Sequence, residues 1–144
     1  MEEVARRLDS IAAMGSPASV FEASRQANLI LIVEDDFVFR TALVELLMAE
    51  GYEVECAADG LEAITRLDSG ERRPSVILLD IGMPYMDGTR FREVQRTLPG
   101  MADIPVIVIS GRRSRLLHLK ALGAREVFFK PLDAPKLLQA IRAL

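Results

Sequence analysis

The sequence predicts an α/β protein with a parallel five-stranded sheet covered by helices on both faces. Two observations predict it. From Leu29 onward, five short strand-like segments alternate with five amphipathic helical ones. Such alternation implies parallel strands joined by crossover helices. The first strand segment, L-I-L-I-V, is also a continuous apolar run, as a strand buried on both faces requires.

The elements follow in order. L-I-L-I-V (29–33) is the first strand. A helix from Phe37 to Glu50 carries Phe39, Leu43, Leu46 and Leu47 on one face. Asp36 can cap its start and Gly51 can end it. Y-E-V-E-C (52–56) alternates as a strand, and Asp59 to Leu67 reads as a helix in which Asp59 and Glu62 have capping-box spacing. S-V-I-L-L-D (75–80) is the third strand. A loop holding Pro84 and Gly88 leads to a helix at about 89–98, and I-P-V-I-V-I-S (104–110) is the fourth strand. Arg113 to Leu122 is a helix ended by Gly123, and E-V-F-F-K (126–130) is the fifth strand. The last helix is capped by Asp133, tolerates Pro135 in its first turn and runs to about Ala143.

At 144 residues the chain holds one domain of ordinary size, 29–144, behind an extension at 1–28. Val4, Leu8 and Ile11 recur at helical spacing before Gly15, Ser16 and Pro17 break the pattern, so the extension is expected to be partly helical. It reads either as a loosely ordered leader or as an arm that packs on the domain or forms a homodimer. A formal charge of -3 and a pI near 5.3 give no basis for nucleic-acid binding through bulk charge. The single cysteine, Cys56, excludes an internal disulfide and a cysteine-rich metal site, and reads as a strand residue. No apolar run reaches the ~18 residues of a membrane helix, and the acidic N-terminus lacks the pattern of a signal peptide. The expected compartment is the cytoplasm.

In parallel sheets, function gathers at the C-terminal ends of the strands. There the first strand presents Glu34 and Asp35, the third Asp80, the fourth Ser110 and the fifth Lys130. Clustered carboxylates raise one another's pKa, and a hard cation relieves the conflict. Magnesium, which takes one or two carboxylates together with water and phosphate oxygens, matches this supply. A carboxylate beside such an ion can act as a nucleophile toward phosphorus. Lysine and hydroxyl then serve as donors to the phosphoryl oxygens. The residues alone therefore point to phosphoryl transfer onto an aspartate.

The strings L-I-L-I-V-E-D-D, L-L-D-I-G-M-P-Y-M-D-G, V-I-V-I-S-G and F-F-K-P-L, in this order over 29–144, resemble the receiver domain of two-component response regulators, in the manner of single-domain chemotaxis regulators. The resemblance implies a flavodoxin-like three-layer fold with strand order 2-1-3-4-5, which sets Asp35 beside Asp80. It implies phosphorylation at Asp80. It also implies Mg2+ held by Asp35, Asp80 and the Gly82 carbonyl with Glu34 assisting, and phosphoryl contacts from Ser110 and Lys130. Pro131 resembles a proline that the family holds after a cis bond. The implied partners are a sensor histidine kinase or histidine phosphotransfer protein as donor, and a downstream protein target. The implied chemistry is limited to the protein's own phosphorylation and dephosphorylation, without enzymatic turnover. Because the sequence stops after the last helix, output is expected through protein–protein contacts on the face of the 113–122 helix, the fifth strand and the last helix.

Three positions depart from the family pattern. Glu34 stands for the commoner aspartate and Ser110 for threonine. Val127 occupies the place of an aromatic switch residue, so the usual coupling of hydroxyl to ring rotation is absent there; Phe128 and Phe129 read as core residues. Three rival readings follow: a phosphorylation-independent docking module, a receiver domain belonging to a hybrid kinase or larger regulator, and an aspartate-nucleophile phosphatase. The last needs D-x-D at the first strand, where this chain has E-D-D. His118 reads as a helix-surface or half-buried residue, and Arg112, Arg113 and Arg115 as a solvated helix start with partner docking as the alternative. Asp87 and Asp103 read as loop acids, and Asp36 as a cap.

Overall fold

The computed structural model describes residues 28–81, 88–111, 120 and 122–144. The expectations for residues 1–27, for Gly82, Pro84 and Asp87, and for Arg112, Arg113, Arg115 and His118 in the 113–122 helix lie outside the described residues. Among the described residues, nine elements run in the order β1 (Leu29–Val33), α1 (Phe37–Ala49), β2 (Glu53–Ala57), α2 (Gly60–Ser69), β3 (Val76–Asp80), α3 (Gly88–Gln95), β4 (Val106–Ser110), β5 (Glu126–Phe129) and α4 (Ala134–Arg142). The strands form one sheet in the order β2-β1-β3-β4-β5, with every pairing parallel.

β1, β3 and β4 are buried along their whole length, including the polar Asp80 and Ser110 that end β3 and β4. Alternate residues feed two cores. Ile30, Ile32, Leu78 and Ile107 pack on Leu43 and Leu47 of α1 and on Leu137 and Ile141 of α4. Leu31, Val33, Leu79 and Val108 pack on Ala63 and Leu67 of α2 and on Phe91 of α3. β2 and β5, at the two edges, are only part-buried. β2 keeps the alternation expected of 52–56: Tyr52, Val54 and Cys56 pack on the α1–α4 core, while Glu53 and Glu55 pair with Arg72.

The ends of the helices follow local chemistry. Asp36 Oδ1 accepts from the Val38 and Phe39 N–H groups at the start of α1. At its end Gly51, at φ 90°, donates to the Met48 carbonyl while Tyr52 N–H reaches back to Leu47, a Schellman closure. Asp59 accepts from Glu62 N–H at 2.8 Å, but Glu62 Oε2 accepts from Ala58 N–H, one residue before the reciprocal partner of a capping box. Asp133 caps α4 through Lys136 N–H, with Pro135 in the first turn. β4 starts at Val106 rather than Ile104, since Pro105 has no N–H to give the ladder.

Two residues shape the connections around the site. A Cβ on Gly88 would lie 3.1 Å from the Asp80 carbonyl oxygen and 2.1 Å from Ile81 Cδ1, so only glycine lets α3 start this close to the end of β3. Gln95 is fully buried. Its Nε2 donates to the Met101 and Ile104 carbonyls at 2.9 and 3.2 Å, and its Oε1 accepts from Arg92. Gln95 thereby folds the 96–105 connection under β4. Gln95→Leu keeps the side-chain volume but leaves buried carbonyls unpaired. It is expected to lower unfolding free energy by about 2–4 kcal/mol in urea titrations, and a loss below about 1 kcal/mol would show the amide to be dispensable.

Candidate functional site

The carboxyl edge of the sheet brings together the residues singled out in the sequence. Glu34 and Asp35 follow β1, Asp80 ends β3, Ser110 ends β4 and Lys130 follows β5. Because β1 and β3 are hydrogen-bonded neighbours, with Val33 in register with Leu79, the two acidic strand ends lie side by side. One carboxylate oxygen from each of Glu34, Asp35 and Asp80 lies within 4.8 Å of the others. Glu34 and Asp80 are buried and Asp35 is exposed, so the cluster opens toward solvent on the Asp35 side.

Lys130 closes one wall. Its Nζ donates to Glu34 Oε1 at 3.1 Å and stands 3.9 Å from Asp80 Oδ1. The Lys130 backbone N–H donates to the Ser110 carbonyl at 2.9 Å, which locks the lysine to the end of β4. The Lys130–Pro131 bond is cis. Ser110 is buried beside Asp80 in the sheet order, its Cα in register with Phe129.

Glu34 is held on nearly every side. Its N–H donates to Ala57, its carbonyl accepts from Arg40 at 2.7 Å, and Oε1 accepts from Lys130 and from Asp36 N–H. Oε2 is buried with no hydrogen-bond partner among the described residues. A buried carboxylate oxygen without a donor is costly, and Glu34 stands in a cluster with two further carboxyl groups. The donor set is all oxygen and carries several negative charges, which fits a hard divalent cation. The Asp80 carboxyl reports the same conflict. Burial, then the charge of Glu34, push its pKa up to about 8 from the ordinary 3.8, while Lys130 pulls it back. Without a cation, Asp80 therefore holds its proton near neutral pH.

The remaining expectations fall as follows. Val127 packs on the α2–α3 side of the sheet together with Phe129, and Phe128 packs on the opposite side; because β5 is an edge strand, both phenylalanines are half-buried against the cores rather than fully buried core residues. Val127 is in register with Val108, two residues before Ser110 on the same face. Asp36 is an N-cap. Asp103 is an exposed acid paired with Arg73 at 3.3 Å. Cys56 is a half-buried free thiol in β2. Gly82 lies outside the described residues. Two contributors escaped the sequence reading. Arg40 pins the Glu34 carbonyl, and Phe39 sets its ring face 4.2 Å from Lys130 Nζ. Arg40 left a signal: a cation in the opening turn opposes the helix dipole and calls for a specific acceptor.

Fold and carboxyl-edge site together define the receiver class of two-component signalling domains. The chain belongs to the response regulator receiver domain family, whose pattern it matches over residues 30–142. It is 40% identical over 119 residues to the response regulator MprA of Mycobacterium tuberculosis, a match covering 80% of this chain and 49% of that protein. MprA of Mycobacterium avium matches at the same identity, over 80% of this chain and 50% of that protein. The chain thus spans about half the length of the curated relatives it matches. Among solved structures it resembles the chemotaxis protein CheY4 of Vibrio cholerae, with 30% identity, TM-score 0.71, and coverage of 80% of this chain and 96% of that one. It also resembles the response regulator TrrA of Thermotoga maritima in complex with Mg2+ and beryllofluoride, with 28% identity, TM-score 0.72, and coverage of 81% and 97%. None of the described helices is long and apolar enough to cross a membrane.

Proposed function

We propose that this receiver domain is switched by a phosphoryl group carried on Asp80 and received from a phosphohistidine of a sensor kinase or phosphotransfer protein. The observation that carries the reading is the position of the Asp80 carboxylate. It is buried at the sheet edge, within 3.9 Å of the Lys130 ammonium and clustered with Glu34, whose Oε2 has no hydrogen-bond partner among the described residues. Asp35, Asp80 and Glu34, with the Gly82 carbonyl that the family pattern adds, would hold Mg2+, the ion bound in the TrrA structure. When bound, that ion supplies positive charge that ionises Asp80 and offsets charge on the transferring group.

The chain's own residues do the rest. An Asp80 Oδ attacks phosphorus as the P–N bond to the donor imidazole breaks, and the imidazole leaves with the bonding pair. The Lys130 ammonium, already aimed between Glu34 and Asp80, takes up a phosphoryl oxygen. The Ser110 hydroxyl donates to a second one. The phosphoryl group adds about -1.5 to -2 charge, which biases a pre-existing equilibrium read by a downstream protein. Val127 cannot swing as an aromatic would, so the signal leaves through Ser110 and the β4–β5 backbone pairing, without a ring rotation at 127. The domain turns over no substrate besides its own aspartyl phosphate, and works in the cytoplasm.

A beryllofluoride titration in magnesium, followed by backbone amide shifts, tests the reading. Shifts are expected at Asp80, Ser110 and Lys130 and along β4 and β5. Spectra unchanged at these strand ends would overturn it.

A further inference from the structure

Lys130 has a neighbour that the phosphoryl-transfer reading does not use. Its ammonium sits 4.2 Å from the centroid of the Phe39 ring. Phe39 lies in the first turn of α1, half-buried against the α1–α4 core. Beyond it an open apolar groove of about 690 Å3 runs between Leu43, Leu46, Pro131 and Leu132.

We propose that Phe39 is a positioning residue for Lys130: its ring face holds the ammonium against Glu34 and Asp80, poised for a phosphoryl oxygen. The inference rests on the proposed role of Lys130 at that site. A lysine stem has four flexible carbons and loses considerable rotamer freedom when fixed. Here one hydrogen bond, to Glu34, and one longer ion pair, to Asp80, hold its end. The side chain remains 28% exposed, and the groove leaves room for it to swing outward. An aliphatic residue at position 39 would present only apolar surface to a partly desolvated cation. A ring presents the negative face of its quadrupole, which attracts the cation. The same contact spares Lys130 from collapsing fully onto Asp80, since three neighbours share its charge.

Phe39→Leu keeps apolar volume in the core and removes the ring face, whereas Phe39→Tyr keeps the face. At saturating magnesium, Phe39→Leu is expected to weaken beryllofluoride binding roughly three- to tenfold, with Phe39→Tyr close to the parent protein. Magnesium affinity alone should be unchanged, because Lys130 is not among the proposed metal ligands. In a Lys130→Ala background, Phe39→Leu should cause no further loss. Equal binding by the parent and Phe39→Leu, or the same loss with and without Lys130, would overturn the inference. A readout that needs neither ligand nor variant is the Lys130 ε-methylene protons of the metal-free protein, expected upfield of ordinary lysine values because they lie over the ring. Ordinary values there would refute the contact. A parent protein that shows the upfield shift yet binds no beryllofluoride would overturn the proposed function instead, and the contact would stand.

Discussion

Asp80→Asn is expected to abolish labelling by acetyl phosphate or by a phosphohistidine donor, a loss of at least about a thousandfold, because the amide removes the nucleophile itself. The same substitution is expected to stabilise the metal-free protein at alkaline pH. The Asp80 carboxyl has a folded pKa raised from 3.8 to about 8. An acid shifted in this direction binds its proton more tightly when folded, so below pH 4 both states are protonated and no penalty arises. As pH climbs from 4 toward 8 the unfolded chain ionises freely while the folded one resists, and stability falls. Above pH 8 the penalty is constant, on the order of a few kcal/mol at this buried position. The asparagine variant lacks it. Urea unfolding with chelator present, at pH 5 and pH 9, should therefore show parent and variant closer at pH 5 and the variant ahead at pH 9. A gap that does not depend on pH would contradict the electrostatic account of the site. Loss of labelling together with gain of stability also separates a functional role for Asp80 from a structural one.

The second large effect is on magnesium. A cation and a proton compete for the same carboxylate, so metal affinity is expected to rise with pH by up to about tenfold per unit below the Asp80 pKa near 8 and to level off above it. The chain has no tryptophan, so amide chemical shifts are a suitable signal. In Asp80→Asn the slope should flatten as well as the affinity drop, because the titrating group is gone. An unchanged slope in that variant would place the proton elsewhere in the cluster. Metal should also remove most of the alkaline destabilisation of the parent protein, since it stabilises the ionised form of Asp80.

Much of this was legible in the sequence, for reasons that can be located. L-I-L-I-V is apolar without interruption, so its burial on two faces follows from composition, while the strand order follows from the resemblance to the receiver family. Glu34, Asp35, Asp80, Ser110 and Lys130 could be gathered in advance because a parallel sheet puts every strand end on one edge. In the sequence Phe39 reads as one more apolar residue of an amphipathic helix, which it also is. Its contact with Lys130 joins residues 91 positions apart and depends on how α1 and the turn after β5 meet, which periodicity does not encode. Arg40 left a faint local trace, and the Gln95 network left none: a glutamine near a helix end reads as solvent-facing until the 96–105 chain is seen to fold over it.

The immobility of Glu34 bears on which ions the pocket would discriminate. Its amide, carbonyl and Oε1 are already committed to Ala57, Arg40, Asp36 and Lys130, and only Oε2 remains. The residue can therefore offer a visitor one oxygen, directly or across a water, and cannot pivot to chelate with two. Calcium, which gathers about six to eight oxygens and favours two-oxygen clasps from carboxylates, would find no such clasp at Glu34. A small octahedral ion that retains much of its own hydration needs none. The bonds that keep this single glutamate still would thus favour the smaller ion.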